Sequence, residues 1–223
     1  MTKTDREISE AVACELKWDT KVDQHAILVQ VDRGGVILVG TVGSWAERLA
    51  AQEAAHRVSG VREVSNRIEV ELTHEARRTD AQLAQSVRCA LDWDVFIPQA
   101  NIRSSAIGGQ VILEGQVDYC SQRDDAERVV RNIRGVRRVL NQISVAPIVG
   151  FGVGEAHQVQ KSIEATLERR AEHEARRINL DVHDGKVILS GVVRSWAERQ
   201  LVVGVAKGTR GVRSVDDRLS IEP

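Results

Sequence analysis

Val36–Arg48 reads V-I-L-V-G-T-V-G-S-W-A-E-R, and Val187–Arg199 reads V-I-L-S-G-V-V-R-S-W-A-E-R. Each begins with alternating apolar residues around a glycine, the period of a β-strand, and ends in a serine followed three residues later by glutamate. Ser44 with Glu47, and Ser195 with Glu198, form a capping box. The serine oxygen is expected to accept the N–H of the glutamate, and the glutamate to reach back to the serine's own N–H. Each stretch is therefore a strand that gives way to a helix. A third copy lies between them, V-I-L-E-G-Q-V-D-Y-C-S-Q-R at Val111–Arg123, without the tryptophan. Its cap is either Tyr119 with Gln122 or Ser121 with Asp124, and Ser121 is the better N-cap residue.

Working outward, the glycines hold one register. Gly40, Gly115 and Gly191 fall 75 and 76 residues apart; Gly34, Gly109 and Gly185 repeat the same steps, as do Gly60, Gly135 and Gly211, each of the last followed by valine. A period this long exceeds the short solenoid repeats, so each unit is a small domain. At under about 70 residues each has a marginal core of its own. The expected boundaries are 5–72, 80–146 and 155–222.

Within each unit, Ile8, Val12 and Leu16 (then Leu83, Val87, Leu91, then Val159, Ile163, Leu167) mark an opening amphipathic helix. A strand follows at Ile27, Val29, Val31, at Ile102, Ser104, Ala106 and at Ile178, Leu180, Val182. A glycine turn joins it to the strand already described. The second helix buries Ala51, Ala54, Ala55 and Val58, or their equivalents Ala126, Val129, Val130, Ile133 and Val202, Val205, Ala206, Thr209. The Gly-Val step ends it. A last strand alternates Val64, Asn66, Ile68, Val70; Val139, Asn141, Ile143, Val145; and Val215, Asp217, Leu219, Ile221. The fold class is α+β: three tandem α-β-β-α-β domains, each a mixed three-stranded sheet closed by a right-handed crossover and packed with two helices.

This plan resembles the BON domain, a bacterial module named for an osmotically induced periplasmic protein and for nodulation proteins. Val36–Arg48, Val187–Arg199 and V-S-G-V-R-E-V-S-N-R-I at Val58–Ile68 carry the resemblance, which covers nearly the whole chain; Asp217 stands where the pattern has asparagine. The resemblance implies no known catalytic activity and a role in binding phospholipid or other envelope surfaces during stress. Many such proteins are exported, whereas the N-terminus here, M-T-K-T-D-R-E-I-S-E, does not read as a signal peptide. A cytoplasmic protein, peripheral at the inner membrane face, is the expectation.

The composition sets limits on function. A net charge of −1 over 223 residues argues against a nucleic-acid binder, and no apolar run approaches the roughly 20 residues of a membrane span. Cys14, Cys89 and Cys120 form no metal-type pair, and the six histidines occupy unrelated positions. Neither a P-loop nor a catalytic motif is present, so the expectation is a non-enzymatic protein without cofactor or metal.

The expected partners are anionic phospholipid or protein, with homo-oligomer formation as the alternative to lipid. The candidate contacts are Trp45, Arg48, Trp196 and Arg199 in the repeated S-W-A-E-R, since indoles favour the bilayer interface and helix N-termini favour phosphate. The alternative for both indoles is packing over the end of the sheet or against a neighbouring unit. Arg131, Arg134 and Arg138, in a cluster with Arg128 and Arg137, form either an anion-binding patch or a solvated helix end. The first unit, with 8 basic and 12 acidic side chains, is the least suited to an anionic membrane. Phe151, in the apolar joint A-P-I-V-G-F-G-V-G with Ile148, Val149 and Val153, is expected to pack in a groove between units 2 and 3, the alternative being contact with another chain or with lipid. Thr73–Thr79 is polar and could extend the following helix. Trp18 and Trp93 match each other at the end of the opening helix, with Arg169 in the third unit, and are expected to close the core.

Overall fold

The structure, a computed structural model, describes residues 3–147, 153–170 and 178–222, the side chains of 153 and 168–170 excepted. Among the described residues, six helices, nine strands and two short 3-10 turns build one plan three times. Unit 1 comprises α1 (Asp5–Trp18), β1 (Ile27–Asp32), β2 (Gly35–Val42), α2 (Trp45–Arg57) and β3 (Glu63–Val70). Unit 2 comprises α3 (Asp80–Trp93), β4 (Ile102–Ile107), β5 (Gln110–Val117), α4 (Cys120–Val130) and β6 (Arg138–Val145). Unit 3 comprises α5 (Val153–Arg170), β7 (Ile178–His183), β8 (Lys186–Val193), α6 (Trp196–Gly208) and β9 (Ser214–Ile221).

Each sheet is mixed, with its second strand central: antiparallel to the first through a hairpin and parallel to the third through the helical crossover. The turn residues Arg33 and Gly34 both have positive φ, 48° and 77°, the geometry of a two-residue hairpin. The first residue of the opening helix pins this turn. Asp5 accepts hydrogen bonds from the backbone N–H groups of Arg33 (2.8 Å) and Gly34 (2.9 Å), and Asp80 does the same for Gly108 and Gly109. One side chain thus ties the start of unit 1, and one the start of unit 2, to its hairpin.

Gly40 and Gly115 exist because backbone passes too close for any side chain. A Cβ on Gly40 would run into the Ala26 carbonyl, and one on Gly115 into that of Asn101. The central strands meet the helices on Val36, Leu38 and Val42, and on Val111, Leu113 and Val117, all nearly inaccessible.

Two expectations about local structure are corrected. Helix α4 begins at Cys120 with Tyr119 as N-cap, so Ser121 lies inside the helix. Gln122 accepts there from the N–H groups of Asp118 and Tyr119, and this reach-back leaves the phenol free of any capping role. Thr73–Thr79 does not extend α3: Thr79 caps that helix, and Ala76 of the joint is buried. Phe151, Ile148 and Val149 lie outside the described residues, as do the side chains of Val153 and Arg169.

The cores are unequally divided. Unit 1 has its own apolar cluster, whereas the buried residues of units 2 and 3 form one continuous cluster from Leu83 to Ile221.

Candidate functional site: the seams and the exposed aromatic corners

The second helix of each unit leads its N-terminal end into a neighbouring unit. Trp45, Cys120 and Trp196 occupy the same first helical position in α2, α4 and α6. Trp45 packs on the joint core of units 2 and 3. Cys120 is fully buried and its Sγ lies 3.3 Å from the carbonyl of Val212 in unit 3. Trp196 stacks on His56 of unit 1, ring centroids 3.7 Å apart and planes 21° from parallel. Unit 1 therefore leans on unit 2, unit 2 on unit 3, and unit 3 back on unit 1. The result is a closed ring of three head-to-tail seams. Ion pairs bridge two of them: Arg131 to Glu53 (3.6 Å) between units 2 and 1, and Lys207 to Asp124 (2.7 Å) between units 3 and 2. Arg137 also donates to the Val70 carbonyl across the first of these.

The pentapeptide S-W-A-E-R is thus engaged residue by residue. The Ser44 and Ser195 hydroxyls accept the N–H of Glu47 (3.1 Å) and Glu198 (3.2 Å). The Glu47 carboxylate does not return to the serine. It accepts from Gly43 and Asp23, and Glu198 accepts from Arg194, so the glutamate anchors the preceding loop instead. Arg48 lies over the Trp45 ring, 4.6 Å to its centroid, and donates to the carbonyls of Ile68 and Asn66, each at 2.8 Å. Arg199 lies over Trp196 in the same way and pairs with Asp217 at 2.8 Å.

Asn66 returns a bond to the Arg48 carbonyl and accepts from Ile68 N–H; Asn141 does likewise with Arg123 and Ile143. The Asn-to-Asp change at position 217 exchanges this amide bridge for an ion pair. Neither indole is a free tip: both are half-buried, and their Nε1 atoms are enclosed without a partner among the described residues. Burial lowers the Arg48 pKa, with Arg138 of unit 2 adding repulsion.

The arginine cluster is likewise distributed. Arg131 faces Glu53, Arg134 lies 4.0 Å from Glu75, and Arg128 pairs with Asp125 and Asp94. Arg138 starts β6 beside Arg48.

The exposed apolar groups lie elsewhere. Trp18 is 77% exposed, Trp93 86%, Val95 89% and Phe96 73%. These occupy one corner of the repeat, the end of the opening helix and the loop after it. The expectation that Trp18 and Trp93 close the core is overturned, for a reason of helical phase. Leu16 and Leu91 are the last buried residues of α1 and α3, and two positions on, at ~100° per residue, the side chain points about 200° away. Asp92 and Asp94 on either side of Trp93 were the sequence signal of exposure.

Among the described residues no His, Cys, Asp and Glu side chains gather as metal ligands, and no helix is long and apolar enough to cross a membrane. Small α+β modules joined through apolar seams, with aromatic side chains among their exposed groups, define a tandem-repeat protein. The chain belongs to the BON domain family, matching it over residues 4–71, 79–147 and 156–223.

Its relatives include an uncharacterized protein of the gshII 5' region from Anaplasma centrale, 27% identical over 135 residues (57% of this chain, 89% of that protein). Osmotically-inducible protein Y of Escherichia coli is 28% identical over 143 residues (62% and 71%). Outer membrane lipoprotein DolP of Haemophilus influenzae is 22% identical over 138 residues (61% and 71%). Among solved structures, CdsD of the Chlamydia trachomatis type III secretion system covers 97% of this chain and 93% of its own, with 13% identity and a TM-score of 0.28. That likeness carries no argument here.

Proposed function

We propose that the protein is a non-enzymatic surface-binding protein that attaches peripherally to phospholipid membranes through the aromatic corners of units 1 and 2. The observation that carries this reading is the exposure of Trp18, Trp93, Val95 and Phe96. Indoles are most stable at the headgroup level of a bilayer, and apolar neighbours reach the acyl boundary beneath them. Scattered exposed leucines need no explanation, but a tryptophan, a valine and a phenylalanine within four positions form a patch. Asp92 and Asp94 flank the unit 2 corner, so insertion there is driven by apolar surface and not by attraction to anionic headgroups. Two relatives have names that refer to osmotic induction and to the outer membrane, which supports a place in envelope maintenance or stress.

Flotation with liposomes of zwitterionic lipid, at low and high salt, tests this. Binding is expected to persist in salt and to be lost in Trp18→Ser/Trp93→Ser/Phe96→Ser, with Trp45 and Trp196 untouched. Retained flotation in that variant refutes the assignment. Light scattering on the same samples tests the alternative, protein–protein assembly. A mass well above 24.6 kDa without flotation means that a second copy, and not lipid, covers the corners.

A further inference from the structure

Of the three seams, that between units 3 and 1 differs from the others in three respects. The chain passes directly from unit 1 to unit 2 and from unit 2 to unit 3, so only the third joint has no covalent link across it. Like the seam between units 1 and 2, it joins separate cores, whereas units 2 and 3 share one. The seam borders a cleft of about 850 Å³, lined by Gln52, His56, Arg62, Glu63, Trp196 and Arg199 among others. Its central contact is one aromatic stack in which His56 Nε2 is enclosed without a hydrogen-bond partner among the described residues.

We propose that the His56–Trp196 contact is a clasp: the ring opens there, with units 2 and 3 remaining joined, when His56 takes up a proton.

The reason is the environment of the imidazole. A proton on Nε2 would need an acceptor, and the nearest charge on α6 is the guanidinium of Arg199, already bonded to Asp217. From the start of β3, Arg62 and Glu63 face the same cleft, and from the end of β9, Glu222. Helix α1, which also packs on α2, keeps Glu15 and Asp19 on Arg57. Glu63 and Glu222 line the cleft, but neither bonds the enclosed Nε2 of the imidazole. Burial, with Arg199 adding repulsion, takes the His56 pKa down from 6.5 to about 4. The sign follows. A histidine depressed in the closed state supports closure fully above pH ~6.5, and that support is lost as the pH falls toward 4. Between pH 7.5 and 5.0 the closed-to-open ratio drops roughly 30-fold, in a range where most carboxylates stay ionised.

Hydrogen–deuterium exchange of the full chain at pH 7.5 and 5.0, corrected for intrinsic rates, reads the clasp in the α2 and α6 peptides. The reactivity of Cys120 toward a pyridyl disulfide that reacts at acidic pH, scaled at each pH to that of the exposed Cys14 and Cys89, reads the seam between units 2 and 3. The expected result is faster exchange in both helices at pH 5.0, while Cys120 stays protected. His56→Phe, which keeps a ring on Trp196 but takes no proton, is expected to remain closed at both pH values. Trp196→Ala is expected to be open at pH 7.5 with Cys120 still protected. Unchanged exchange in the wild type, an equal rise in His56→Phe, or simultaneous exposure of Cys120 would each overturn the proposal, the last by showing global and not local opening.

Discussion

Gly40→Ala tests how each unit is held together. The residue pairs with Ile27 at the start of the β1–β2 ladder, has φ 155°, and approaches the Ala26 carbonyl so closely that a Cβ must displace it. A side chain in such a backbone conformation costs about 1–3 kcal/mol. Moving Ala26 away also pulls Ile27, now 9% exposed, out of the core, with a loss of another ~1–2 kcal/mol. The restriction of the unfolded chain returns only ~0.4–1 kcal/mol. The net, roughly 1–4.5 kcal/mol, is a large share of the ~3–10 kcal/mol that a unit this small commands. Gly43→Ala is the control: three residues away, its Cβ would meet only the Glu47 carboxylate at 3.8 Å. In urea titrations followed by exchange of unit 1 peptides, Gly40→Ala should unfold unit 1 at much lower denaturant and Gly43→Ala should not. Because unit 1 has its own cluster, the joint core of units 2 and 3 should melt later in Gly40→Ala. If the two variants fall within 1 kcal/mol of each other, the close-approach argument fails, and with it the explanation of why Gly40 and Gly115 hold the same position in units 1 and 2.

Further outcomes follow from the caps, the thiols and the charges. Ser44→Ala removes the acceptor of the Glu47 N–H and should cost about 1 kcal/mol in denaturant melts, whereas Tyr119→Ser supplies a cap oxygen that α4 lacks and should add ~0.5–1 kcal/mol. Thiol titration of the native chain should modify Cys14 and Cys89 and spare Cys120, which is buried with its pKa pushed up by desolvation. The hydrogen bond from Arg57 to Asp19, helped by Lys21 N–H, lowers the Asp19 pKa. That contribution is present above the unfolded value of 3.8 and is lost as the pH falls below it. Asp19→Asn should cost about 1 kcal/mol or less at pH 7 and flatten the acid limb of the stability curve.

The repeat, the α+β class and the element order were legible because each rests on a local signal: apolar period, capping residue or glycine. Ser44 and Ser195 were found this way, and so was the Gly-Val step. The partner of Glu47 was not, since the Asp23 N–H comes from 24 residues away and only the folded loop presents it. The seams were invisible for a similar reason. His56 looks like any solvated residue near a helix end, and nothing within unit 1 records that Trp196 of unit 3 lies on it. Trp18 and Trp93 were misplaced although the information was present: the phase of Leu16 and Leu91 already directs them outward. Residue type alone suggested burial, and helical geometry decided otherwise.

Size at the first helical position explains why tryptophan occurs in two units and cysteine in the third. Between units 2 and 3 the cores are continuous, so α4 approaches unit 3 closely enough for Cys120 Sγ to touch the Val212 carbonyl and for Lys207 to reach Asp124. An indole there would force the helices apart and open that core, at a cost of overpacking of about 1–3 kcal/mol or more. At the two seams with unit 1 the cores are separate, and Trp45 and Trp196 fill the gap between bodies that do not share one. The broken repetition of S-W-A-E-R therefore records the mechanics of the ring. A fused pair of units carries a third through two aromatic wedges, and only one of these is without a covalent link to hold it closed.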